Sequence, residues 1–168
     1  MELDFSIKVN KQYFNFACSH FLIFQNGTRE PLHGHNYRVS VCGRAPELSA
    51  DMVFDFLDIK PIIREVCDSL DHRLLLPGEN PLVKFLDSGP NLEYRTPDGS
   101  FFSFPKADVL ILPLSNISAE RLAIYLAKEI SQRIYAKYNF KFSELEVEVE
   151  ETPGQSASFS LKEKENAF

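Results

Sequence analysis

His33-Gly34-His35-Asn36-Tyr37-Arg38-Val39-Ser40-Val41-Cys42 alternates between two kinds of side chain. His33, His35, Tyr37, Val39 and Val41 fall on one face of an extended chain, and Asn36, Arg38 and Ser40 on the other. This is a half-buried β-strand with histidines at its entrance. Their imidazoles leave the same face about 7 Å apart by strand geometry. A polar loop, Gln25 to Pro31, precedes the strand. Before the loop, Phe5 to Val9 and Gln12 to Phe21 are rich in Phe and β-branched residues, which predicts two strands broken at Asn10-Lys11. Counting back by two from His20 places it on one face with Cys18, Phe16 and Phe14.

Toward the C-terminus the period changes. Ile59, Ile62, Ile63, Val66 and Leu70 recur at helical spacing after Asp58, read as the N-cap, with Pro61 in the first turn where its missing N–H costs little. A longer helix is predicted from near Ser118 to about Tyr138, with Leu122, Leu126, Ile130 and Ile134 as its inner row. Leu145, Val147 and Val149 then alternate with Glu146, Glu148 and Glu150, and Ser156 to Leu161 reads as the last strand. Between the helices, Val83 to Leu86, Leu92 to Arg95 and Phe101 to Phe104 are short strand candidates, the last two joined by a Thr96-Pro97-Asp98-Gly99 turn. The expected architecture is α+β: a ββααββ core with a β-hairpin insertion at about 77–113, in a single domain over 1–168.

The composition bounds the function. A chain of 168 residues with 44% hydrophobic content suits one compact domain. The net charge of −6 argues against a generic nucleic-acid or anionic-membrane surface. Cys18, Cys42 and Cys67 are an odd number without framework spacing, which favours a reducing compartment. The first residues lack the basic and apolar regions of a secretory leader, and no apolar run reaches membrane-spanning length, so a cytoplasmic protein is expected.

His20, His33 and His35 can share one metal ion if their strands lie side by side, with Gly34 permitting close backbone approach. A His-x-His pair can equally be a strand entry whose rings bond the backbone. Three neutral imidazoles without a thiolate fit zinc with an open fourth position, the catalytic pattern. Asp71 next to His72 can orient it as a general base, or merely cap the first helix. Glu151 follows Leu145, Val147 and Val149 in period two, onto the apolar face. A carboxylate aimed inward needs a partner. A ring presenting two adjacent N–H donors, such as a 2-amino-4-oxopyrimidine, supplies one; a strand end open to solvent would remove the need.

Phe16-Ala17-Cys18-Ser19-His20, Leu32-His33-Gly34-His35-Asn36-Tyr37, Met52-Val53-Phe54-Asp55-Phe56, Leu70-Asp71-His72, Ser118-Ala119-Glu120-Arg121-Leu122-Ala123 and Val149-Glu150-Glu151-Thr152 run in an order that resembles the 6-pyruvoyl-tetrahydropterin and 6-carboxytetrahydropterin synthases. The resemblance spans nearly the whole chain. It implies a T-fold, a four-stranded antiparallel sheet with two helices on one side. It also implies trimeric rings that stack into a homohexamer with sites at subunit interfaces. It assigns His20, His33 and His35 as zinc ligands, Asp71 and His72 as a catalytic pair, and Glu151 as the pterin anchor.

One departure concerns the chemistry. In those synthases a cysteine four residues before the first His of His-Gly-His acts as proton-transfer thiol, and here that position is Arg29. Cys18 lies within a strand and reads as a small core residue. Glu30 gives Glu-x-x-His-Gly-His, which resembles the subgroup in which a glutamate replaces the thiol and 7,8-dihydroneopterin triphosphate is cleaved to 6-hydroxymethyl-7,8-dihydropterin in folate biosynthesis. The expected activity is that zinc-dependent lyase reaction. The rivals are 6-pyruvoyl or 6-carboxy synthase activity and a non-catalytic pterin-binding paralogue. The insertion either shapes the pocket or lengthens the oligomer's rim.

Overall fold

The computed structural model describes residues 4–163. β1 (Phe5–His20) and β2 (His33–Ala45) pair antiparallel, and α1 (Phe56–Leu70) follows. β3 (Arg73–Pro77), β4 (Lys84–Ser88), β5 (Asn91–Arg95), β6 (Phe101–Pro105) and β7 (Val109–Leu112) occupy the span before α2 (Ala119–Tyr138). β8 (Glu144–Thr152) and β9 (Gln155–Lys162) close the chain as an antiparallel pair, with β8 antiparallel to β2. None of the described helices is long and apolar enough to cross a membrane.

Instead of two strands, Phe5–His20 is one strand with a bulge. Asn10 pairs with Ser40 while Asn15 pairs with Arg38, so β1 carries extra residues between them. The extra residues invert the parity of the strand. Val9 faces the core before the bulge, and Phe14, Phe16, Cys18 and His20 face it afterwards. Because side chains alternate with period two, an odd insertion moves every later residue to the opposite face. The bulge thereby turns His20 inward.

The core sheet is larger than expected. Its order is β7-β3-β1-β2-β8-β9, six strands in place of four, with β3 parallel to both β1 and β7. The missed strands are short apolar runs. Leu75 joins the main core while Leu74 and Leu76 join a second cluster, so β3 is covered on both faces and shows no alternation. The insertion is likewise more than a hairpin: β4, β5 and β6 form a separate three-stranded antiparallel sheet. Phe21, Ile23, Leu74, Leu76 and Tyr94, with Phe85, Leu92, Phe102 and Phe104, seat it against the face opposite the main core. Tyr94 is the one residue of the inserted sheet fully buried there among the described residues, and burial of a side chain of that size stabilises by about 1.5–3 kcal/mol.

The helices pack on the other face. α1 begins three residues earlier than its apolar row suggests, because the cap is Asp55, whose Oδ1 accepts from the Leu57 N–H at 2.7 Å. Asp58 instead accepts from the Tyr138 hydroxyl at 2.9 Å and ties α1 to the end of α2. Pro61 therefore lies beyond the first turn, inside the helix, and removes one backbone donor there. α2 starts as expected, with Ser118 Oγ accepting from the Arg121 N–H, and ends on Asn139 in the left-handed region. Gly43 admits the Phe142 ring, whose nearest atom would lie 2.5 Å from any added Cβ.

Candidate active site

β1 and β2 bring the three histidines together in register. His20 pairs with His33, Ser19 with Gly34 and Cys18 with His35. The strands approach closely because Gly34 lacks a Cβ; one added there would stand 2.9 Å from the Cys18 carbonyl oxygen. The ring centroids of His20 and His33 are 4.6 Å apart, those of His33 and His35 4.9 Å, and those of His20 and His35 5.3 Å. One nitrogen from each lies within 4.8 Å of the others.

Backbone carbonyls orient two of the rings. His20 Nδ1 is 2.8 Å from the Ile117 oxygen, and His33 Nδ1 is 2.8 Å from the Pro31 oxygen. A carbonyl only accepts, so each Nδ1 carries a proton and each Nε2 is turned away from these contacts. His20 is 1% exposed. Burial first, and the neighbouring histidines in addition, lower its pKa, against the opposing pull of Ile117 and Glu151, which keeps it neutral.

Tyr37 lies between this triad and Glu151. Its hydroxyl donates to Glu151 Oε1 at 2.9 Å and stands 3.1 Å from His20 Nε2. One hydroxyl proton thus faces two acceptors. A cation at the Nε2 side resolves that conflict, so the donor set fits a metal ion. Burial, then the charge and hydrogen bond of Glu151, push the Tyr37 phenol above its ordinary value, with smaller contributions from Cys18 and Glu30. Glu151 Oε1 is also 3.4 Å from His35 Nε2. The inward-facing carboxylate read from period two is therefore found, and Tyr37 is the partner that reading did not assign.

Glu30 sits on a small hairpin beside the triad. Its N–H donates to the Leu22 carbonyl at 3.0 Å and its Oε2 accepts from the Leu22 N–H at 3.1 Å. Oε1 carries no protein hydrogen bond among the described residues. Cys18 is buried, and desolvation, then the charges of Asp71 and Glu151, push its thiol up to about 12. It is no proton carrier near neutrality.

Asp71 and His72 form the expected pair, Nδ1 to Oδ2 at 2.8 Å. Asp71 Oδ1 accepts from the Ala17 N–H at 2.7 Å. Burial alone would raise the Asp71 carboxyl, but the Ala17 N–H and the His72 ring outweigh it and hold the group below its ordinary value. His72, with φ of 56°, turns the chain sharply and projects a side chain that is 84% exposed. It lines a cavity of about 520 Å³ with Ala17, Ser19, Gly34 and Asn36, and Cys18 and His35 border the same cavity. Those four alternate with Cys18, His20, His33 and His35, so they belong to the opposite face of the sheet. His72 thus shares a cavity with His35, while no hydrogen bond joins it to the triad among the described residues.

The family model for 6-pyruvoyl tetrahydropterin synthase matches residues 8–162. A protein of Methanocaldococcus jannaschii, provisionally named a 6-carboxy-5,6,7,8-tetrahydropterin synthase, is 36% identical over 149 residues, covering 86% of this chain and 88% of its own. The 6-pyruvoyltetrahydropterin synthase of Plasmodium vivax is 31% identical with a TM-score of 0.88, over 95% of this chain and 99% of that one. Its Plasmodium falciparum counterpart is 32% identical with a TM-score of 0.84, over 95% and 98%. With the α+β fold and the histidine triad in place, the chain belongs to the 6-pyruvoyl tetrahydropterin synthase family.

Proposed function

We propose that this protein is a zinc-dependent lyase that cleaves the side chain of 7,8-dihydroneopterin triphosphate to 6-hydroxymethyl-7,8-dihydropterin. The observation that carries the reading is the pairing of a buried, high-pKa Cys18 and an arginine at the thiol position with the unbonded Oε1 of Glu30. Solved variants of the Plasmodium vivax synthase, in which a glutamate described as a catalytic residue is replaced by alanine or cysteine, support a glutamate in this role. Three neutral imidazoles with no thiolate favour zinc with an open position.

Zinc held by His20, His33 and His35 would acidify a side-chain hydroxyl of the substrate. Glu151 binds the pterin's adjacent ring N–H groups with its two carboxylate oxygens. Glu30 takes the proton from the hydroxyl on the second side-chain carbon. The bond between the first and second carbons then breaks, its electron pair passes into the pterin ring, and the second carbon leaves as the aldehyde of a two-carbon triphosphate. His72, oriented by Asp71, returns a proton to the first carbon. Because His72 is 84% exposed and makes no hydrogen bond to the triad among the described residues, we infer that it serves the site of a neighbouring copy in a trimer or hexamer.

The Methanocaldococcus jannaschii relative favours a second reading, formation of a 6-carboxy product. Zinc-loaded protein incubated with 7,8-dihydroneopterin triphosphate, with the pterin product identified by mass, separates them. The hydroxymethyl product is expected from the wild-type chain and from a variant lacking Cys18, Cys42 and Cys67. Glu30→Ala should be about a hundredfold slower or worse. A cysteine-free protein that is folded and inactive, beside an active Glu30→Ala, overturns the assignment.

A further inference from the structure

Arg29 stands where the resembling synthases hold their thiol, and its side chain does something else there. Its Nε donates to Ser100 Oγ at 3.1 Å and lies 3.3 Å from Asp98 Oδ2. Its Nη1 donates to the Glu30 carbonyl at 2.8 Å. The guanidinium carbon is 4.9 Å from the centre of the Phe102 ring and 5.7 Å from that of Phe21. One planar group therefore touches the Glu30 backbone, the turn between β5 and β6, and the aromatic face on which the inserted sheet is seated.

Both sides of this contact are preformed. Asp98 receives the hydroxyls of Thr96 and Ser100 and the Ser100 N–H, so its carboxylate is fixed before any arginine arrives. On the other side, Phe24 donates to the Thr28 carbonyl, Ile23 bridges Arg29, and Glu30 exchanges bonds with Leu22 through both backbone and side chain. A second contact joins the same two loops independently. Gly27, at the hairpin tip with φ of 83°, lies so near the turn that a Cβ on it would be 3.3 Å from Pro97 Cβ.

We propose that Arg29 is a positioning residue that pins the Glu30 hairpin to the inserted three-stranded sheet, so that the insertion sets the aim of the Glu30 carboxylate. This rests on the reading of Glu30 given above. The insertion is then a brace for the reacting loop and not a lengthened rim. Arginine suits the place because one rigid fork can hold Ser100, Asp98 and the Glu30 carbonyl while stacking on Phe102. A thiol offers none of those contacts.

The test compares Arg29→Met, which keeps an unbranched apolar stem, and the milder Asp98→Asn with wild-type protein. Two readouts are followed: amide hydrogen exchange at Leu22 and Glu30, and steady-state turnover of 7,8-dihydroneopterin triphosphate. In Arg29→Met those two amides should exchange at least about tenfold faster while paired amides of β1 and β2 are unchanged. kcat should fall about tenfold with KM within about twofold and metal content unchanged, the pattern of a mis-aimed group. Asp98→Asn should move both readouts in the same direction by less. Protected Leu22 and Glu30 amides in Arg29→Met, or exposed amides with wild-type kcat while Glu30→Ala is inactive, overturn the brace. An active Glu30→Ala instead overturns the reading of Glu30, and the exchange data then judge the pinning alone.

Discussion

At the scale of single residues, accessibility separates the groups that can react from those that cannot. Cys18 and Cys67 are buried with thiols pushed up to about 12, by desolvation first in both. A buried thiol raised in this way stays almost wholly protonated near neutrality. Iodoacetamide should therefore leave both unmodified in folded protein over hours and alkylate them once the chain is denatured, as peptide mass mapping will show. Rapid alkylation of native Cys18 would reopen a thiol mechanism. Glu151 is the opposite case, a half-buried carboxylate with Tyr37 as donor and an oxygen facing the triad. Glu151→Gln leaves one acceptor where two donors are expected, so pterin affinity should fall by about tenfold or more at unchanged metal content. Titration calorimetry with a non-cleavable pterin checks it. The inward face of Glu151 was legible from period two alone. Tyr37's bond to it was not, because alternation tells which face a residue shares and not which neighbour it meets. The carbonyls of Ile117 and Pro31 that orient the histidines were equally invisible, since any residue type supplies a carbonyl.

At the scale of elements, β3 was missed because it is buried on two sides. The alternation of β2 and β8 and the helical rows of α1 and α2 each had one wet face to contrast with the dry one. β3 is buried through Leu74, Leu75 and Leu76 between the main core and the inserted sheet, and so had no contrast to read. The bulge in β1 was visible only as an apparent break at Asn10-Lys11, although its effect is to invert parity and deliver His20 to the core face. Between β3 and the inserted sheet the packing carries one defect. The Tyr94 hydroxyl is buried without a hydrogen-bond partner among the described residues. An unsatisfied buried hydroxyl costs about 1–3 kcal/mol, so Tyr94→Phe should leave the aromatic contacts with Phe21 and Phe85 intact and stabilise the protein by about 1 kcal/mol. Thermal melting of the two proteins decides it, and a lower melting temperature in the variant would mean that the hydroxyl has a partner in solution.

At the scale of the whole molecule, a His72 that serves a neighbouring copy, as proposed above, means that a single chain does not complete its own site. His20, His33, His35, Tyr37 and Glu151 share the inner face, with the Glu30 hairpin at their edge. His72 is strongly exposed and lines a cavity with Ala17, Ser19, Gly34 and Asn36 that also borders Cys18 and His35. His72 stands in the turn between α1 and β3, held by Asp71, with no hydrogen bond to the triad among the described residues. The resemblance implied sites at subunit interfaces, but sequence order carries no information about which copy of the chain His72 serves. The consequence is testable without any structure of the assembly. Glu30→Ala and His72→Ala chains should each be nearly inactive as pure preparations. When they are co-refolded in equal amounts, a site that draws Glu30 from one copy and His72 from its neighbour finds both intact in about a quarter of cases under random mixing. The mixture should thus regain about a quarter of wild-type turnover, growing in as subunits exchange. If every chain completes its own site, each mixed ring contains only singly defective sites and the co-refolded sample stays at the level of its parents.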